Sequence, residues 1–213
     1  MEFNWTALEA IGTLSAAFVA LLVGLWPDLK GRFFKPELIV DFEHREPFCR
    51  STEWLEIIER FNQEQNRTLY DAYWIRISVA NKKGKHPVVG CIGMLTKAKN
   101  VDQFQLRWAG VPDENGFNRI QLSGEEPFYL NIIRLQKLNK RVGAPWEAYF
   151  VTHPNLNAGF STRLHPGEEH RFEITIYSDN TKGVKIGLSL KYDAYLEVES
   201  NIPKVDVKKL YIA

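Results

Sequence analysis

Residues Trp5 to Trp26, WTALEAIGTLSAAFVALLVGLW, form one run whose only ionisable side chain is Glu9 and whose two ends are tryptophans. At about 1.5 Å of rise per residue the run reaches roughly 33 Å as a helix, enough to cross a hydrocarbon core about 30 Å thick with slight tilt. The sequence therefore predicts a membrane-spanning helix over residues 1–27, with Trp5 and Trp26 at the two headgroup levels and Pro27 ending the helix.

The small and polar residues of this run share one side. At about 100° per residue, Glu2, Thr6, Glu9, Thr13, Ala16, Ala17, Ala20 and Gly24 fall on one face, and Ile11, Leu14, Phe18, Leu21, Leu22 and Leu25 on the other. Lipid surrounds a lone anchor on every side and gives no reason for such segregation; a helix bundle does. Gly12, Ala16, Ala20 and Gly24 place a small residue at every fourth position, which lets helix backbones approach closely in a bilayer. An ionised Glu9 inside the span is costly unless it meets water, a partner or a proton. A bundle axis lined by Glu9, Thr13, Ala16, Ala17 and Ala20 answers that need, so these five are the candidate pore-lining residues. The plain alternative is a single anchor with incidental Ala and Gly, in which Glu9 reaches water by snorkelling.

No Lys or Arg precedes the run, whereas Lys30, Arg32 and Lys35 follow it, so the positive-inside rule places the C-terminal part in the cytoplasm of a single-pass inner-membrane protein. A cleaved signal peptide fits poorly: the start carries no base, and Leu25-Trp26-Pro27 is no small-x-small cleavage site. Residues 28–35 read as a basic juxtamembrane linker. Cys49 and Cys91 are ordinary for a reducing compartment, and a disulfide between them cannot be inferred.

Residues 36–213 suffice for one domain with its own core. Period-two alternation marks strands at 36–43 and 73–81. Further strand candidates lie at 88–98, 104–110, 119–122, 127–135, 147–153, 170–179, 184–196 and 205–212, separated by turns rich in Gly, Pro, Asn and Asp. Many short strands without a βαβ rhythm imply a mainly-β antiparallel sandwich, Ig-like in type. One segment, STEWLEIIERFNQEQN, reads instead as a helix over about 52–64, with Ser51 or Thr52 as cap and Trp54, Leu55, Ile58 and Phe61 on one side. It would be inserted between the first two strands to cover a sheet edge.

No P-loop, Rossmann fingerprint, GxSxG or HExxH occurs, so the sequence argues against an enzyme and calls for no cofactor. The densest set of potential metal ligands, His165, Glu168, Glu169 and His170 in HPGEEH, matches no metal spacing, and no metal is expected. Residues 1–27 hold two acids, Glu2 and Glu9, and no base, which leaves 27 bases against 24 acids in the rest of the chain. That small excess is clustered. Arg134, Lys137, Lys140 and Arg141, followed by Trp146 and Tyr149, combine charge with π faces as a nucleotide or single-stranded nucleic acid requires. Lys82, Lys83, Lys85 and His86 crowd a second loop. The plain reading of both is a solvated surface that maintains solubility or touches anionic headgroups.

One span, a basic junction and a sandwich, together with the phrases YWIRISVANKKGKHPVVGCIGMLTK, FQLRWAG and HPGEEHRFEITIYSDN, resemble a class of small single-pass bacterial membrane effectors, among them the channel effectors of the Hailong anti-phage defence system. The resemblance implies a homo-oligomeric ion channel, such as a tetramer, gated at its cytosolic sandwich. It also implies a partner nucleotidyltransferase whose product, a short single-stranded DNA, acts as the regulatory ligand. A non-conducting, membrane-tethered binding or scaffold module is the alternative.

Overall fold

Ile75, Ile77 and Val79 alternate along the chain with Trp74, Arg76 and Ser78, and the first three are fully buried in one core. β-branched residues at every second position suit a pleated surface packed on one side. The computed structural model describes residues 5–58, 66–99, 103–112, 116–137, 144–151, 162–195 and 203–213, with side chains except at 5–11, 27–33, 54–58 and 66–70. Among the described residues one helix, α1 (Trp5–Phe33), precedes thirteen strands. These are β1 (Leu38–Asp41), β2 (Cys49–Ile58), β3 (Asn66–Asn81), β4 (Val88–Ala98), β5 (Phe104–Gln105), β6 (Arg107–Trp108) and β7 (Ile120–Leu122), then β8 (Phe128–Lys137), β9 (Trp146–Phe150), β10 (Arg163–Leu164), β11 (His170–Tyr177), β12 (Val184–Tyr192) and β13 (Val205–Ile212).

The strands form two sheets, and every pairing is antiparallel. The first runs β1-β3-β8-β9-β10, with β2 beside β3 and β6 beside β8; the second runs β13-β12-β11-β4-β5, with β7 beside β4. Ile75, Leu130, Ile133 and Leu135 of the first sheet share one buried cluster with Ile174, Ile176, Leu188 and Leu190 of the second. Phe150 sits edge-on between Phe104 and Phe172, with ring centroids 5.9 and 5.4 Å away, and the Tyr192 hydroxyl donates to the Leu164 carbonyl at 2.8 Å. This is the expected antiparallel sandwich, and β4 and β13 occupy the expected ranges.

Its strand order departs from the Ig pattern in one sheet. β4-β11-β12 follows the C-F-G order of such domains. In the other sheet an Ig domain has A-B-E-D, with the first returning strand at the edge. Here β8, the first long strand to return, lies directly against β3, and β9 lies outside it.

The inserted helix is replaced by strand β2 up to Ile58, and residues 59–64 of that expectation lie outside the described residues. β2 pairs with β3 from Cys49↔Ile75 to Ile58↔Asn66. The helical spacing of Trp54, Leu55 and Ile58 was a competing period. A lone helix of about 13 residues is marginal in water. The 16-residue β3, by contrast, offers a row of unpaired backbone groups that β2 satisfies.

Pro27 does not end α1, which continues to Phe33 and takes up most of the expected 28–35 linker. Proline removes one backbone hydrogen bond, and good helix formers on its far side, Leu29, Lys30 and Arg32, carry the helix on. Among the described residues no helix is long and apolar enough to cross a membrane. The described side chains of α1 run from Gly12 to Trp26, about 22 Å of helix axis.

Candidate functional site

Every described side chain of α1 is exposed, from Gly12 to Trp26. Leu14, Phe18, Leu21, Val23 and Trp26 each leave more than half of their surface open. A methyl group added at Gly12 or Gly24 would meet nothing within 4 Å, so the proposed packing residues Gly12, Ala16, Ala20 and Gly24 all lie on open surface, as do Thr13 and Ala17. The side chain of Glu9 lies outside the described residues.

The chain leaving α1 is fastened to the β3–β4 turn. Phe34 and Glu37 accept backbone hydrogen bonds from His86 and Lys82, both at 2.8 Å, and the Thr181 hydroxyl donates to the Pro36 carbonyl at 3.0 Å. Lys82 also pairs with the Glu37 carboxylate at 2.8 Å, and Lys83 with Glu125 at 3.1 Å. The Lys82–His86 loop therefore acts as a clamp between helix and sandwich.

The other basic set is divided between the two sides of a strand. Arg134 is in register with Trp74 and Tyr149, on the face away from the core, whereas Lys137 is in register with Trp146 on the core side. Residues three apart on a strand point to opposite faces. Trp146 is fully buried, with the Lys137 ammonium 5.2 Å from its ring centroid, so it cannot stack on a base. Lys140 and Arg141 lie outside the described residues. Of the expected set Arg134, Lys137, Lys140, Arg141 and Trp146, the structure thus brings Lys137 and Trp146 together and sets Arg134 on the opposite face.

The register assembles a different set around Arg134. Arg50, Trp74, Arg134, Tyr149 and Arg163 stand opposite one another on β2, β3, β8, β9 and β10, a row of alternating arginines and aromatics on the outer face of the first sheet. A second row places Arg76, Asn131 and Arg107 across β3, β8 and β6. The Arg76 and Arg134 guanidiniums lie 5.8 and 6.0 Å from the Trp74 centroid, within cation–π range, and the Trp74 indole donates to Thr52 at 2.8 Å. Burial pushes the Arg76 guanidinium below its ordinary value, and the like charge of Arg50 adds to the shift. The Arg76 Nε is buried with no hydrogen-bond partner among the described residues.

Two acids with described side chains are in register with this face, and each already holds a cation: Glu147 pairs with Arg163 and Asp41 with Lys209, both at 2.5 Å. Glu147 also accepts from the Tyr149 hydroxyl, whose pKa is pushed up to about 12 by burial first and by that carboxylate second. Arg50, Trp74, Arg76, Arg107 and Arg163 were not singled out from sequence, since they are spread over four strands, β2, β3, β6 and β10, with only Trp74 and Arg76 on the same one. The available signal was the parity of Arg134 and Tyr149 on their strands.

In HPGEEH, a His170 ring nitrogen bonds the His165 carbonyl at 2.7 Å, and Glu169 pairs with Arg171 at 3.2 Å. The turn borders a cavity of about 180 Å³ between Phe150 and Leu164. Among the described residues no three potential metal ligands come together. Cys49 and Cys91 are free and buried, and burial raises their thiols to about 11 and about 12.

No protein-family model, curated protein or solved structure matches this chain.

Proposed function

We propose that the chain is a membrane effector whose N-terminal helices assemble into an ion-conducting pore, lined by Glu9, Thr13, Ala16, Ala17 and Ala20 and gated through the β-sandwich. The observation that carries this reading is the apolar surface of α1, from Gly12 to Trp26, which no described residue covers, whereas most other described large apolar residues are packed in a core. Bare apolar surface of this extent calls for lipid or another apolar helix. Extending the span outward to Trp5 supplies the length a bilayer needs. The sandwich then lies on the side of Lys30, Arg32 and Lys35, the cytoplasm of a bacterial cell.

Gating has a physical route in the clamp between residues 34–37 and the β3–β4 turn, which ties any movement of the sandwich to the end of the helix. A nucleotide or single-stranded nucleic acid is the class of ligand proposed, with anti-phage defence as the setting and a nucleotidyltransferase as its source.

Ion flux from liposomes carrying the full chain tests the pore. Glu9→Gln is expected to change conductance without preventing insertion, because a carboxylate ring facing the axis favours cations. Full flux in Glu9→Gln, Thr13→Leu and Ala20→Leu alike defeats the pore. Replacing residues 5–26 with an unrelated monomeric transmembrane helix abolishes activity if the helix conducts and preserves it if the helix only tethers a binding module.

A further inference from the structure

The outer face of the first sheet carries cations of one chemical type. In the described strand positions they are all arginines, at 50, 76, 107, 134 and 163. A surface tuned for solubility has no preference for arginine over lysine. A planar, permanently charged fork is preferred where phosphate oxygens are held two at a time. Arrangement adds to identity. Adjacent strands lie about 4.8 Å apart, so Arg50, Arg134 and Arg163 recur at roughly 10 Å intervals along a row about 19 Å long.

Of the two acids with described side chains in register with the face, Asp41 is occupied by Lys209 and Glu147 by Arg163 of the row itself, while the Arg76 Nε has no partner among the described residues. Like charges brought this close repel one another, and on Arg76 the charge of Arg50 acts in the same direction as burial, against the charged form. An anion bridging them relieves that repulsion. Trp74 is 94% buried beneath the guanidiniums that flank it, so it serves to hold Arg76 and Arg134 in place rather than to stack on a ligand.

We infer that the row Arg50–Trp74–Arg134–Tyr149–Arg163, with Arg76 beside it, binds a ligand carrying two or more phosphates. The inference rests on the proposed reading that the sandwich receives a regulatory ligand, and it names the surface and the chemistry of that reception. Soluble phosphate compounds and phosphorylated lipid headgroups share this chemistry.

The full chain is held in nanodiscs of zwitterionic phosphatidylcholine and titrated calorimetrically with inorganic tripolyphosphate and, separately, with water-soluble dibutanoyl phosphatidylinositol bisphosphate. Binding that weakens with added salt is expected. Arg50→Ala and Arg134→Ala should each weaken it about tenfold, the loss expected of one charge-assisted contact. Arg134→Lys should recover only part of that loss, because the charge returns without the fork. Tighter binding of the headgroup probe assigns the site to a lipid, and tighter binding of tripolyphosphate assigns it to a soluble ligand.

The inference is overturned if neither probe binds the native chain. It is also overturned if Arg50→Ala, at an exposed position that the fold does not need, leaves affinity unchanged. A fall in unfolding midpoint for Arg134→Ala with no change in affinity reduces the row to a sheet-stabilising ladder. Liposome flux separates the two readings: a conducting chain that binds neither probe loses this inference alone, and a binding chain that never conducts loses the pore alone.

Discussion

The helix and the sandwich use apolar residues in opposite ways. Between the two sheets, Ile75, Leu130, Ile174 and Leu188 are sealed from solvent, while on α1 Leu14, Phe18, Leu21 and Val23 face outward with nothing described against them. Burial of apolar area stabilises a fold by about 25 cal/mol per Å². The sandwich therefore carries its stability within itself, and none of the described residues gives α1 the same gain. A residue type that is structural in one region becomes a statement about environment in the other.

Substitutions of similar size should separate the two regions sharply. Trp146→Ala removes a fully buried ring and is expected to cost the sandwich about 3–5 kcal/mol in chemical denaturation. Leu21→Ala on α1 should leave the same transition in place. If Trp146→Ala costs under about 1 kcal/mol, it is not a core residue, and its availability to a ligand must be reconsidered.

The converse experiment places charge on the helix. Leu14→Arg with Leu21→Arg puts two cations in the apolar run, each costing about 2.5–3.5 kcal/mol at a bilayer centre. If the proposed membrane span holds, the native chain should sediment with membranes and the variant should leave that fraction while its sandwich still folds. Equal distribution of the two between the fractions would mean that the exposed surface of α1 does not face lipid.

Burial also governs the thiols. With pKa values of about 11 and about 12, Cys49 and Cys91 should resist alkylation at neutral pH until the sandwich is unfolded. They are therefore poor reporters of which side of a membrane the sandwich occupies, whatever their reactivity would suggest for exposed thiols. Rapid labelling of either one in the native state would contradict the packing of β2 and β4.

What the sequence disclosed follows the range of the forces involved. β4 and β13 were legible because strand period and turn chemistry act over a few residues. β2 was not, since Trp54, Leu55 and Ile58 satisfy a helical period locally and only pairing with β3 decides between the two. The arginine row is a product of register. Arg50, Trp74, Arg134, Tyr149 and Arg163 come from five strands, and nothing in their spacing along the chain brings them together. Arg134 was recognised for its charge and was then grouped with Lys137 and Trp146, its neighbours in sequence but not across the sheet.

The smallest expected effect is the response of the sandwich to acid; in α1 the acids, Glu9 and Asp28, lie outside the stretch from Gly12 to Trp26. Glu173 is held below the usual carboxylate range, first by the Tyr211 hydroxyl and then by Lys185 at 3.3 Å and the Thr96 hydroxyl at 3.1 Å. A carboxylate with a depressed folded-state pKa contributes stability that is present above its unfolded value, about 4.3, and disappears as pH falls through the lower folded value. The urea midpoint should thus decline as pH drops below about 5, and Glu173→Gln should flatten part of that decline. Parallel curves for the native chain and Glu173→Gln would mean that the Tyr211 and Lys185 contacts leave its ionisation no more favourable in the folded chain than in the unfolded one.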